Sequence, residues 1–123
     1  MENILLSPEF TNAVLSGNKV TTIRRGRRPY VNGNAVLRAG SQDIKINIKN
    51  VRFTILKSLT EDDAQRDGCP SLSELRQTLL KFYPDLNADE DLTIVEFSVT
   101  GRKNDRYKRK ARIQRNTTAS IRN

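Results

Sequence analysis

The chain contains no histidine, and that one absence removes Ser-His-Asp and Cys-His catalysis and most zinc sites before any spacing is considered. The single cysteine, Cys69, cannot form an internal disulfide, and with no histidine to activate it the thiol reads as an ordinary, partly buried one. No apolar run approaches the roughly 20 residues of a membrane span, and no charged-then-apolar leader precedes Ile4-Leu5-Leu6. The expectation is a cytoplasmic monomer with no membrane, metal or cofactor partner. Any chemistry must come from Lys, Thr, Ser, Tyr, Asp, Glu or Cys69.

Positive charge is what the sequence has in excess. The net charge of +8 belongs entirely to residues 102–123, where nine Lys and Arg face the single acid Asp105; residues 1–100 carry equal numbers of basic and acidic groups. A segment so charged, with few large apolar residues, cannot bury enough surface to offset its ordering entropy. The division is therefore a folded unit over residues 1–100 and a basic tail over 101–123, disordered when free. Clustered cations such as Lys108, Arg109 and Lys110 attract phosphate backbones through counterion release, which makes nucleic acid the natural partner; a tail that serves solubility or touches anionic surfaces non-specifically is the alternative.

Along the folded unit, Ser7-Pro8-Glu9 reads as a helix start, with Ser7 as cap, Phe10, Ala13 and Val14 as the buried face and Gly17 as the stop, giving a helix over about 8–16. Val20 to Ile23 favour a strand, Arg25-Gly26-Arg27-Arg28-Pro29 an exposed basic loop, and Val31-Asn32-Gly33-Asn34 a turn opening a strand over 35–38. Ile44, Ile46 and Ile48 alternate with polar residues, and so do Val51, Phe53 and Ile55, but on opposite parity. A change of parity near Lys49-Asn50 demands a bulge, bend or turn, of the kind that lets a sheet curl into a small barrel. Thr60 to Asp67 reads as a capped helix ended by Gly68 and Pro70. Ser71 to Glu74 reads as a capping box opening a helix whose face is Leu72, Leu75, Leu79 and Phe82, stopped at Tyr83-Pro84. Leu92 to Val99 is the last strand, and the tail starts at Gly101. The order predicts an α+β fold with a small, curved, barrel-like sheet and flanking helices.

Asp85, Asn87 and Asp89 imitate a calcium loop, but Glu90 stands where the sharp turn requires glycine, and a polar loop is the better reading. Lys19, Thr22 and Arg24 form the candidate site. Thr22 and Arg24 share one face of a strand while Lys19 reaches toward it from the turn. A threonine hydroxyl becomes a nucleophile only when a base takes its proton, and a lysine can be that base. The alternative is a solvated turn lysine beside an ordinary edge-strand threonine.

The chain resembles the ASCH family of small PUA-like β-barrel proteins. The matching segments are Ala13 to Lys19, Thr21-Thr22-Ile23-Arg24, Val31 to Leu37, Leu59 to Ala64, Ser73-Glu74-Leu75, Tyr83-Pro84 and Ile94-Val95-Glu96-Phe97, in family order over residues 3–99. The resemblance implies recognition of RNA or a modified nucleoside in a basic cleft, with Arg24, Arg25, Arg27 and Arg28 as binding residues alongside the tail. Small single-domain members include an amidohydrolase that removes the acetyl group of N4-acetylcytidine with a lysine, a threonine and a glutamate. The resemblance thus implies catalytic roles for Lys19 as base, Thr22 as nucleophile and Asp67 as the acid. Asp67 is one methylene shorter than the glutamate of that pattern, and a misplacement of about 1 Å can cost a hundredfold in rate. Other members are ribonucleases or bind RNA without chemistry.

Overall fold

The computed structural model describes residues 2–102; Lys108, Arg109, Lys110 and the rest of the basic tail lie outside the described residues. Five strands form one mixed sheet: β1 (Glu2–Leu5), β2 (Thr21–Arg25), β3 (Gly33–Ala39), β4 (Gln42–Ile55) and β5 (Asp91–Arg102). Their spatial order is β1-β3-β4-β5-β2, so β1 and β2 are the two edges of a half-barrel. All neighbours are antiparallel except β1, which pairs parallel with β3.

The parity change is a bulge inside one long strand. Ile48 pairs with Phe97 and Asn50 with Glu96, which leaves Lys49 as the extra residue. Ile48 and Val51 therefore reach the same face although three positions separate them, and the strand bends there. β5 continues through Gly101 and Arg102, paired with Lys45 and Ile44, so the last strand outruns the expected end at Val99. The first helix is a 3-10 turn, Pro8–Phe10, followed by α1 (Thr11–Leu15), and the Ser7 side chain caps neither. β1 was not expected from the sequence.

The helices α2 (Glu61–Arg66) and α3 (Leu72–Phe82) complete the fold. Thr60 and Asp63 form a reciprocal capping box on α2, whereas Ser71 caps α3 through the Glu74 amide alone. Asp63 also accepts a hydrogen bond from Arg52 of β4. Burial alone would raise its pKa, but the Thr60 amide and the Arg52 guanidinium together hold it below the usual carboxylate range. That contact ties the start of α2 to β4, and Asp67 is the C-cap residue at the other end of the helix.

The core has two halves, one on each face of the sheet. One gathers Ile4, Leu37, Ile44, Ile46, Ile48, Val95 and Phe97 in the concave side; the other packs Leu75, Leu79, Leu86 and Ala64 against Ile23, Leu92 and Ile94. Leu75 is fully buried between α3 and the sheet while Leu80, on the same helix, is 41% exposed. Leu75→Ala is expected to cost about 2–5 kcal/mol in denaturant unfolding, and Leu80→Ala no more than about 0.5 kcal/mol; equal effects would contradict this packing.

Candidate functional site

A cavity of about 490 Å³ opens between the two sheet edges, within the range of about 300–1,000 Å³ that small-molecule sites use. Asn3, Leu5 and Leu6 wall it from the β1 side and Thr22, Ile23 and Arg24 from β2, while Phe10, Tyr30, Phe82 and Tyr83 supply aromatic surface. The rings of Phe10 and Phe82 meet tilted, with centroids 6.0 Å apart and planes at 58°. Both were expected as helix-face core residues; they line the cavity instead, and Phe82 is 44% exposed.

Lys19 and Asp67 meet at this cavity. Lys19 is 4% and Asp67 9% exposed, with Nζ 3.0 Å from Oδ1, and Nζ donates to the Asp67 carbonyl oxygen at 3.3 Å. The ammonium also lies 5.1 Å from the centroid of Phe10, inside the range of a cation–π contact. The backbone makes this approach possible. Gly17 ends the first helical segment with φ 83°, the Lys19 amide donates to the Ala13 carbonyl and the Val20 amide to that of Arg66. Gly68, at φ +87°, turns the chain directly after Asp67, and a Cβ there would lie 3.2 Å from the Cβ of Lys19. The solvated turn lysine is thereby overturned.

Thr21 and Thr22 divide the two faces of β2 between them, as alternation requires. Thr21 donates to Asp67 Oδ1 at 3.1 Å. Thr22, 1% exposed, accepts from Arg24 Nη1 at 2.6 Å, which places the two on one face as the sequence predicts. Because β2 is an edge strand, a cavity at its free edge sees both faces, and Lys19, Thr22 and Asp67 all line it. No direct hydrogen bond joins Thr22 to Lys19 or Asp67 among the described residues; the bond to Asp67 comes from Thr21, which the sequence places on the strand but not in the site. Its only signal was position, one residue from Thr22 and so on the opposite face.

The arginines divide sharply. Arg24 donates to Thr22, to the Ile23 carbonyl and to the Leu5 carbonyl across the seam. Burial lowers its pKa from the ordinary value, and arginine starts high enough to stay charged. Arg25 is tied to Glu90 and Asp85, Arg27 stacks on Phe53 at 4.0 Å, and only Arg28 of the loop lines the cavity. The acids of the calcium-like loop serve ion pairs, Asp85 and Glu90 with Arg25 and Asp89 with Lys57. Cys69 has its thiol pushed up by burial and by Asp67, which makes it less reactive. Among the described residues no group of ligating side chains could hold a metal ion, and no helix is long and apolar enough to cross a membrane.

Burial pushes the Asp67 carboxyl above its usual range, against the opposing pulls of Lys19, the Thr21 hydroxyl and Arg24. An acid raised on folding contributes stability that is complete below its unfolded pKa and lost as the pH rises through its folded one. Carboxyl NMR should find Asp67 titrating above the ordinary aspartate range, and Asp67→Asn should remove that falling term from the stability curve; an ordinary midpoint would contradict the burial argument. Breaking the pair from one side is a separate test. Lys19→Met strands the acid and is expected to cost about 3–5 kcal/mol, most of it recovered in Lys19→Met/Asp67→Leu; a double variant as unstable as the single would rule out the pair as the cause.

Neither a family model nor a curated protein sequence matches the chain. Solved structures do. A protein from Enterococcus faecalis V583 aligns with a TM-score of 0.69 at 19% identity, covering 88% of this chain and 82% of its own. The ASCH domain from Lactobacillus crispatus JV V101 gives 0.68 at 17%, covering 80% and 79%. ASCH from Zymomonas mobilis gives 0.58 at 16%, covering 98% and 96%. At these identities the likeness is one of fold, and together with the mixed five-stranded half-barrel it establishes that this chain has the PUA-like α+β fold of the ASCH domains.

Proposed function

We propose that the seam cavity binds an acylated cytidine, free or within RNA, and hydrolyses its N4-acetyl amide with Thr22 as nucleophile, Lys19 as base and Asp67 as proton donor. The observation that carries the reading is the buried pair of Lys19 and Asp67, 3.0 Å apart, on the wall that also bears the Thr22 hydroxyl. Two ionisable groups this deep in a small domain are costly to keep, and a cavity beside them gives the cost a use. The aromatic lining suits a planar base.

The chemistry follows from the proton count. A lysine amine beside a carboxylic acid holds the same number of protons as the ion pair, so one proton crossing the 3.0 Å gap supplies the base and the acid that the reaction needs, and the burial that raises the Asp67 carboxyl favours its protonated form. The amine takes the Thr22 hydroxyl proton as Oγ1 bonds to the acetyl carbon, whose carbonyl pair moves to oxygen. Collapse breaks the C–N bond, and the departing N4 takes the Asp67 proton. The proton on Lys19 then passes across the 3.0 Å gap to Asp67. Water hydrolyses the threonyl ester, so acetylcytidine and water become cytidine and acetic acid. Lys19 must swing toward Thr22 when substrate fills the cavity, a tightening that apo sites commonly await.

Binding without chemistry is the second reading, favoured by the +8 charge of residues 102–123. It makes affinity for RNA fall steeply with salt and depend on that segment. Incubation with N4-acetylcytidine separates the two. The amidohydrolase releases cytidine, and Thr22→Ala lowers kcat/KM by about a thousandfold or more. No release by the wild type, or undiminished release by Thr22→Ala, would leave binding alone.

A further inference from the structure

We infer that Arg24 is the residue that activates and aims the Thr22 hydroxyl, an assignment that rests on the proposed acyl transfer. The family resemblance implies a different role for Arg24, as a contact for substrate or RNA. The guanidinium has five N–H donors, and three are directed at the protein's own oxygens: the Thr22 hydroxyl, the Ile23 carbonyl and the Leu5 carbonyl. A group held this way is a fixture of the wall, turned toward the nucleophile.

Its effect on Thr22 is directional. A hydroxyl has one proton to give and two lone pairs to receive with, and Arg24 Nη1 occupies a lone pair at 2.6 Å. The Thr22 proton must therefore point elsewhere, and the cavity beside Lys19 is the open side of this otherwise buried residue. Its effect on energy grows along the reaction. A charge-assisted hydrogen bond to a neutral hydroxyl strengthens as that oxygen gains negative charge, so the contact stabilises the developing alkoxide more than the resting alcohol.

The other two bonds keep the donor in place. Ile23 is its neighbour on β2, whereas Leu5 ends β1 at the opposite edge of the sheet. One side chain thus closes the half-barrel and polarises the nucleophile. Leu5 is an exposed residue whose side chain is 73% accessible, so what β1 contributes at this point is a backbone carbonyl in a fixed position. Arg24→Lys cannot reproduce this, because an ammonium lacks the planar fork through which two guanidinium nitrogens reach these three oxygens.

Two measurements test the inference. Thr22→Cys converts the local field into a thiol pKa, read from the pH dependence of iodoacetamide alkylation resolved by peptide mass, with Cys69 as the internal control. With Arg24 present that thiol is expected to ionise at least about one unit below the ordinary 8.5, and Thr22→Cys/Arg24→Gln to return to it. In the threonine enzyme, Arg24→Gln should lower kcat by about 10²–10³-fold, as removal of a single preorganised donor does, with KM changed less than about threefold. Added guanidinium ion should restore part of the turnover of Arg24→Ala. A thiol pKa that Arg24→Gln leaves unmoved overturns the inference whatever the turnover. A raised KM with intact kcat makes Arg24 a substrate contact, and a lowered Tm with intact kcat makes it a clasp alone; either result also overturns it. Failure of the wild type to release cytidine is a different outcome, and it overturns the proposed function itself.

Discussion

The site depends on one buried contact, the meeting of Lys19 with Asp67. Lys19 comes from the turn that leads into β2, and Asp67 ends α2, 48 residues later. Burying both groups costs several kcal/mol each unless they satisfy one another, so the fold must bring these two segments to within hydrogen-bond distance or leave a charge stranded. Much of the local structure serves that end. Gly17 stops the first helix, the Val20 amide holds the Arg66 carbonyl, Arg52 and Thr60 anchor Asp63 at the start of α2, and Gly68 has no side chain to push Lys19 away.

The second constraint is topological. β1 and β2 are edges of the same sheet, yet they face one another across a cavity because the bulge at Lys49 and the length of β4 and β5 curl the sheet toward closure. An unpaired strand edge is ordinarily a liability. Here it is the reason that residues from both faces of β2 reach one cavity: Thr22 and Arg24 from the concave face, and Asp67 through its bond to Thr21 on the other. A fully closed barrel would have separated them. Arg24 spans the remaining gap to Leu5, and Phe10 and Phe82 line the same cavity.

How much of this could be read beforehand follows from the range of the interactions. The bulge was legible because parity is a local property, and Ile48 and Val51 violate it within four residues. The caps of α2 and α3 and the strand placing Thr22 beside Arg24 were legible for the same reason. Spacing points to Lys19 and Thr22, Asp67 follows from family likeness alone, and all three line one cavity. β1 was missed because four residues with a single buried side chain carry no period, and its partner lies some thirty residues away in a parallel pairing. The fate of Arg25 was missed because Asp85 and Glu90 are 60 and 65 residues distant. A loop of arginines looks equally free in sequence whether or not acids fold back onto it.

In the proposed reaction Thr22 carries the acyl group for part of the cycle. Rapid acid quenching of the protein during turnover of N4-acetylcytidine, followed by peptide mass spectrometry, reads this directly. One acetyl group is expected on the peptide containing Thr22, absent in Thr22→Ala and reduced in Lys19→Ala. Release of cytidine with Thr22 never acetylated, or with the acetyl group on another residue, would contradict it.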